Sequence, residues 1–303
     1  MDHSSDNPLA PGTHDLTFDE LGGIRQRYHV HGSGPVCMVH PGGPGFSWEY
    51  LRMPALEEFL TLVYVEPVGT GGSGRLAGHP HGYTRDVYAQ ALDALIVALD
   101  AGRVSLLGHS HGAFVAQHYA REHSERLAGL VLYESAPVTG PEHFAEAVRN
   151  LDRFAADHAG DPGLQDVLDA WQSVPAIADD AAFTMAARRL FPVYFADYWG
   201  HQDAYASVLE SISGSYISGL DDCMAPTAID DRSALESITT PTLVIVGRHD
   251  FICGPRWAGE IHERIPRSTL LVLEDSGHFG HIEEPEVLTR KVADFVTSAD
   301  AAA

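Results

Sequence analysis

Val104-Ser105-Leu106-Leu107-Gly108-His109-Ser110-His111-Gly112-Ala113-Phe114 is a short apolar run that ends in Gly-x-Ser-x-Gly and leads straight into helical periodicity. A serine at a sharp turn between strand and helix is forced into strained backbone geometry, and Gly108 and Gly112 supply the missing side chains that let the two elements approach closely. Such a turn holds the hydroxyl of Ser110 out above a sheet, where it can act as a nucleophile. The backbone N–H of His111 lies near the start of the following helix, where unpaired donors and the positive dipole end favour a developing oxyanion.

Upstream of this turn, Ile24 to Val30 alternates apolar and polar residues as an outer strand does, and the turn His31-Gly32-Ser33-Gly34 follows. Val36 to Val39 reads as a short buried strand running into His40-Pro41-Gly42-Gly43-Pro44-Gly45, a loop too rich in glycine and proline for regular structure. Thr61 to Val65 is β-branched and apolar and ends in a second such loop, Glu66 to Gly74. Neither loop carries a P-loop lysine or a dinucleotide fingerprint, and nothing else in the chain calls for a cofactor. Thr84 is placed as an N-cap, and Val87, Tyr88, Ala91, Leu92, Leu95, Ile96 and Leu99 recur at helical spacing behind it. Downstream, Leu127 to Leu132 forms another buried strand, ending at Tyr133-Glu134-Ser135. Strands and helices in alternation, with continuously apolar strands, predict an α/β fold whose parallel sheet is covered on both faces.

The alternation stops between Pro137 and Ser237, where helical stretches rich in aromatic residues dominate and no clear strand is visible. This predicts a helical insertion, residues 137–237, in a core made of residues 1–136 and 238–303. Its aromatics, Tyr194, Tyr198 and Trp199 among them, are candidates for lining a substrate pocket, although a small helical subdomain also needs aromatics for its own packing. The sheet resumes with Thr242 to Val246 ahead of Gly247-Arg248-His249-Asp250, then a helix opens near Pro255. The last strand, Thr269 to Leu273, ends in Glu274-Asp275-Ser276-Gly277-His278, and a final helix starts near Pro285.

With 303 residues and 45% hydrophobic content, the chain can bury one large core. Its 42 acidic and 19 basic residues give a formal charge of −23, which repels nucleic acid and anionic lipid and argues against both as partners. The first residues lack the basic and apolar regions of a signal peptide, and no apolar run is long enough to span a bilayer. Three widely separated cysteines, Cys37, Cys223 and Cys253, suit a reducing cytoplasm. The histidines show no metal-ligand spacing; His79 and His81 are the most suggestive pair and lack a third ligand, so no metal is expected.

In a parallel α/β sheet the loops leaving the C-terminal ends of strands converge on one edge. Ser110, Asp250 and His278 each lie just beyond such an end, in the order of a nucleophile, an orienting acid and a general base. Glu134 also follows a strand and is the rival acid. His281 is the rival base, but the Gly277 turn favours His278.

On these residues the chain resembles the α/β-hydrolase superfamily over nearly its whole length, and within it the proline iminopeptidase-like branch. Gly42-Gly43-Pro44-Gly45 is similar to that branch's oxyanion loop, and Gly247-Arg248-His249-Asp250 and Gly277-His278, followed by Glu283 and Pro285, are similar to its acid and histidine loops. The resemblance implies a mostly parallel central sheet with helices on both faces and an inserted helical lid. It also implies an oxyanion hole made by the N–H groups of Gly43 and His111, with Gly42 as the alternative donor. Two positions depart from the branch: Pro41 stands where its histidine is usual, and Val68 replaces the arginine of the loop Asp-x-Arg-Gly-x-Gly-x-Ser. The second departure weighs against a peptidase. The expected function is a cytoplasmic serine hydrolase that cleaves a small ester, lactone or amide through an acyl-enzyme on Ser110. An aminopeptidase taking short peptides, a carbon–carbon bond hydrolase or non-hydrolytic enzyme of secondary metabolism, and a silent binding protein are the alternatives.

Overall fold

The apolar runs on either side of Ser110 become the middle of an eight-stranded sheet with the order β1-β2-β4-β3-β5-β6-β7-β8. The computed structural model describes residues 7–18 and 22–303; the N-terminal stretch, read above as carrying no leader, lies outside them up to residue 6. The strands are β1 (Gly12–Phe18), β2 (Ile24–Gly32), β3 (Val36–His40), β4 (Thr61–Val65), β5 (Val104–His109), β6 (Leu127–Tyr133), β7 (Thr242–Gly247) and β8 (Ser268–Leu273). β2 runs antiparallel to both β1 and β4, and every other pair is parallel.

Burial explains the uninterrupted apolar strands. All residues of β4, β5, β6 and β7 are buried, because helices cover both faces. On one face, α2 (Arg85–Leu99), α3 (His111–Glu122) and α8 (Pro255–Arg264) press Leu92, Leu95, Ile96, Ala116, Tyr119 and Ile261 onto Met38, Leu106 and Leu130. On the other, α1 (Pro54–Glu57) and α10 (Pro285–Ala301) supply Leu56, Leu288, Val292 and Val296 against Val39, Leu107 and Val131. Thr84 caps α2 as its sequence position implies, its hydroxyl accepting from the Val87 N–H at 3.4 Å. Truncating a side chain such as Leu95 to alanine in this core would cost about 2–5 kcal/mol.

β1 is a strand that the sequence does not announce. Only Phe18 on it is buried, so an edge strand with a mostly exposed pattern carries no apolar alternation to read.

Register places the site. His40 of β3 pairs with Gly108 of β5, His109 with Tyr133 of β6, Tyr133 with Ile245 of β7, and Gly247 with Leu273 of β8. The loops that follow these five strands therefore leave the sheet side by side, bringing Gly42, Ser110, Glu134, Asp250 and His278 to one edge.

Between β6 and β7 the chain forms four helices, α4 (Pro141–Asp157), α5 (Leu164–Ser173), α6 (Asp180–Leu190) and α7 (Tyr198–Ser211). This stretch is hydrogen-bonded to several of the loops at the sheet edge, among them the loop after β4, where the Ser218 N–H donates to Pro80 O at 3.0 Å and the Gly82 N–H to Leu220 O at 2.9 Å, and the loop after β7, where Asn150 Nδ2 donates to Phe251 O at 3.0 Å. Beyond α7, the Ser47 N–H donates to Ser213 O at 3.0 Å and the Ser215 N–H to Gly45 O at 2.8 Å, an antiparallel bridge to the loop after β3. Before α7, Tyr194 O accepts from the His278 N–H at 2.6 Å. Glu283, in the short α9 (Gly280–Glu283), accepts from the Ala196 N–H at 2.7 Å and from the Gly277 N–H at 2.7 Å. Among the described residues no helix is long and apolar enough to cross a membrane.

Candidate active site

β5 ends at His109 and α3 begins at His111, so the whole change of direction falls on Ser110, whose φ is 54° and ψ −117°. A positive φ in a residue with a Cβ costs about 1–3 kcal/mol and is held only where the surroundings impose it. They do so here by close approach. A Cβ on Gly108 would collide with the Gly112 carbonyl oxygen, and a Cβ on Gly112 with that of His40. The Ser110 N–H is fastened to Tyr133 O at 2.9 Å, and its carbonyl accepts from the Ala113 N–H at 2.9 Å.

Asp250 and His278, both buried, meet across the β7 and β8 loops, with His278 Nδ1 donating to Asp250 Oδ2 at 2.8 Å. Asp250 Oδ1 accepts the Ile252 and Cys253 N–H groups at 2.8 and 3.1 Å. Burial pushes the Asp250 carboxyl up, but the adjoining imidazole and these hydrogen bonds outweigh it and hold the group below its ordinary value. With Nδ1 fixed as donor, Nε2 of the neutral ring is left as the acceptor, and His278 and Ser110 both line a cavity of about 220 Å³. Among the described residues neither Ser110 Oγ nor His278 Nε2 has a hydrogen-bond partner. An imidazole in this tautomer can accept a proton from a serine hydroxyl, and such contacts commonly tighten only when substrate is bound.

The backbone donors divide into free and engaged. The N–H groups of Gly43 and His111 have no partner among the described residues. That of Gly42 donates to Tyr50 Oη at 2.7 Å, which leaves Gly43 as the available donor of that loop. Tyr50 Oη has one proton, and His109 Nδ1 lies 2.8 Å away as its acceptor. His109 Nε2 then donates to the carbonyl of His278 at 3.0 Å. A second histidine repeats the arrangement: the His281 N–H donates to Tyr133 Oη at 2.9 Å, that hydroxyl donates to His281 Nδ1 at 3.0 Å, and His281 Nε2 donates to Tyr50 O at 2.9 Å. Both rings are therefore neutral Nε2–H tautomers. Burial and neighbouring imidazoles push His109 well below its ordinary value, and burial takes His281 down to about 4. His281, with both nitrogens engaged, has none free to act as a base.

Glu134 lies beside Asp250. Its carboxyl oxygens are 2.9 and 3.0 Å from the Gly247 N–H, and they lie within 4.8 Å of ligand-type atoms of Asp250 and His278. These are the donor types of a metal site. However, the 2.8 Å contact between Asp250 and His278 is a hydrogen bond, and Asp250 Oδ1 is filled by two amides, so the cluster shares protons rather than caging an ion.

The remaining cavity wall is apolar: Phe46, Ile252 and Phe279, with Tyr194 and Ile212 from the insertion. Tyr194 thus stands where the sequence puts a pocket aromatic. Tyr198 and Trp199 do not. Trp199 packs on Phe154 and His158, and Tyr198 on Phe191 and Phe195, so both belong to the insertion's own packing and an outer groove. Val68 fills an apolar cluster with Tyr83, Tyr88 and Val115 where the branch's arginine would stand. His79 and His81 bond to Tyr83 Oη and Ser218 Oγ, at 3.0 and 2.8 Å. Tyr50 and His109 escape sequence reading. His109 sits inside the serine motif, which gives it a place but no role, and Tyr50 carries no signal.

A parallel sheet with a strained serine elbow after its central strand, and an acid and a histidine after the last two strands, defines the class. The chain belongs to the alpha/beta hydrolase fold family, whose sequence model matches residues 35–285. It is 29% identical over 297 residues, 93% of each chain, to 2-hydroxymuconate semialdehyde hydrolase of Pseudomonas sp. (strain CF600). It is 24% identical to the proline iminopeptidase PfmaB of Pestalotiopsis fici, over 91% of this chain and 98% of that one. Among solved structures it superposes on an esterase from Exiguobacterium antarcticum with a TM-score of 0.68 at 24% identity, covering 94% of this chain and 99% of the other.

Proposed function

We propose that the protein is a serine hydrolase acting on a small, uncharged ester, lactone or amide, with residues 137–237 as the lid over its site. The observation that carries this reading is the composition of the cavity at Ser110. Among the described residues its wall has no carboxylate and no lysine or arginine. A free α-ammonium or a substrate carboxylate buried there would have no counter-charge, which is prohibitively costly. The same observation weighs against an aminopeptidase, and it favours an apolar acyl group of a few carbons, given a space of about 220 Å³.

In this reading Ser110 Oγ attacks the substrate carbonyl while His278 Nε2 takes its proton, and Asp250 holds the ring in the correct tautomer and stabilises the imidazolium. The oxyanion is received by the N–H groups of Gly43 and His111; losing one such donor typically costs about 10²–10³ in rate. His278 returns the proton to the leaving group, and a water activated by the same nitrogen then releases the acyl group from Ser110. The apolar wall keeps bulk solvent from the reacting carbonyl, which strengthens the hydrogen bonds that receive the oxyanion in both steps, while the hydrolytic step still draws one water into the cavity.

A second reading, carbon–carbon bond hydrolysis, is favoured by one observation, the likeness over 93% of each chain to a semialdehyde hydrolase. The test of both is a side-by-side assay of short-chain aryl esters, lactones, prolyl and other aminoacyl arylamides and vinylogous 1,5-diketones, with Ser110→Ala as the blank. Preference for the esters or lactones is expected. Strong preference for a prolyl arylamide or a diketone would displace the first reading.

A further inference from the structure

Two residues other than glycine at the sheet edge have a positive φ, Ser110 at 54° and Glu134 at 51°. They follow adjacent strands, β5 and β6. Strain at Ser110 is accounted for by its motif, whereas strain at Glu134 has no such explanation and points to a side chain that must be held where it is. Glu134 is fully buried. Among the described residues its only donor is the Gly247 N–H, shared between its two oxygens, and no lysine or arginine pairs with it. The titratable groups around it are Asp250 and Cys253 of the β7 loop, Glu283 of α9, His278, its neighbour Tyr133, and His143 of α4, which faces Asp250. Two carboxylates cannot both stay charged at this separation in a buried site without a cation, so one of them carries a proton.

Which one carries it follows from counting acceptors. Asp250 receives three N–H donors, from Ile252, Cys253 and His278, and these stabilise its charge. Glu134 receives one. A carboxylate offers about four lone-pair sites, so Asp250 has one left; both sites on Oδ1 are taken, and the vacancy is on Oδ2, the oxygen that holds His278. We propose that Glu134 is a positioning residue, a neutral carboxylic acid whose O–H donates to Asp250 Oδ2 and fixes that oxygen beneath His278 Nδ1. The shared oxygen is then a weaker base. Asp250 keeps its charge when His278 is protonated, and the imidazolium is stabilised less than a lone aspartate would stabilise it. The proton stays on Glu134 throughout, and no bond to it is made or broken in turnover.

This inference rests on the triad reading, and the experiment separates the two. The rate of Ser110 labelling by a fluorophosphonate is followed against pH, since its acid limb reports His278 whatever the natural substrate is. Glu134→Gln keeps a donor towards Asp250 and an acceptor for Gly247, so its acid limb coincides with that of the wild type. Glu134→Met removes the donor and raises the limb by about half a unit to one unit, the equivalent of one hydrogen bond. Infrared difference spectra of wild type against Glu134→Gln, taken at about pH 9 so that Glu283 is ionised, contain the carbonyl stretch of a neutral carboxylic acid in the wild type alone. This readout needs neither turnover nor a stable methionine variant. A Glu134→Gln limb lowered by about a unit or more, the mark of a lost negative charge, or a missing carbonyl band overturns the proposal. Failure of Ser110 to label in the wild type would instead overturn the triad reading and leave the infrared result standing.

Discussion

The hydroxyl of Tyr50 donates to His109 Nδ1 across 2.8 Å, and the direction of that bond is fixed because the ring's Nε2–H is committed to the His278 carbonyl, which leaves Nδ1 of the neutral imidazole as an acceptor. The same phenol oxygen accepts the Gly42 N–H. One phenol thereby joins the loop that carries the unpaired Gly43 N–H to the ring that supports the His278 carbonyl. Tyr50→Phe leaves a buried amide without an acceptor and a buried imidazole nitrogen without a donor. At about 1–3 kcal/mol for each orphaned group, the loss is about 2–6 kcal/mol. A urea midpoint equal to that of the wild type would contradict this assignment.

Asp250→Asn should leave the fold intact and reduce turnover by about 10³–10⁴, because an amide stabilises the wrong tautomer of His278. Steady-state rates beside far-ultraviolet spectra of the same samples decide it. A loss of less than tenfold would show that Asp250 does not orient the ring.

Acid should unfold the protein well above the pH at which carboxylates alone would. Burial takes His40 and His281 down to about 4, His111 down to about 3, and His109 well below its ordinary value. Between pH 6.5 and about 4 the unfolded chain binds protons that the folded one refuses. Stability is therefore present above 6.5 and lost as pH falls, by about 1.4 kcal/mol per unit for each ring. Glu134 and Glu283 act oppositely, since their raised values favour the folded state at low pH, but four imidazoles outweigh two carboxyls. Chemical denaturation at a series of pH values measures the slope; a flat profile from 6.5 to 4.5 would refute it.

Glu283 supplies a more local test. Burial raises its carboxyl to about 7 even though two amides bind it, so its contribution to stability is fully present below 4.5 and is lost as pH rises through 7. Glu283→Gln turns an NH₂ group towards one of those amides. It should cost about 1–2 kcal/mol near pH 5, cost less above pH 7, where the wild type has lost this contribution, and remove this component of the pH profile. The check is the difference between the variant and wild-type profiles.

Phe46 forms part of the wall over Ser110. Phe46→Ala should move the preference among aryl esters towards longer acyl chains by about tenfold, the worth of one or two methylenes in an apolar pocket. An unchanged chain-length profile would place the acyl group elsewhere.

How much of this was legible in the sequence depended on the range over which each feature is encoded. The elbow at Ser110 is local, since its glycines lie two residues away on either side, and the strand and helix flanking it carry clear periodicity. Asp250 and His278 could be placed because each follows a strand end that the apolar pattern marks. Glu134 was visible as a rival acid, but the proximity of the two acids arises from the pairing of β6 with β7, which no local pattern encodes. Tyr50 meets partners 59 and 231 residues away, through His109 and His281, and an isolated tyrosine in a loop carries no trace of either contact. For Tyr194, Tyr198 and Trp199 the sequence leaves pocket lining and packing both open, because an aromatic side chain looks the same in sequence whether it packs a helix or faces a ligand.

The hydrogen bonds that fasten the insertion to the sheet edge bear on how this molecule could be recombined. The roof of the cavity is tied to the loop after β3 through Ser47 and Ser215, and to the loop after β8 through Tyr194 and Glu283. A relative's insertion transplanted between β6 and β7 alone would arrive without its counterparts and tear out the seams that shape the pocket. The unit of exchange is thus discontinuous in sequence: residues 42–47, residues 75–85, the whole insertion, residues 250–256 and residues 276–284 would have to travel together, and chimaeras cut at those boundaries are the ones that would carry a donor's selectivity with them.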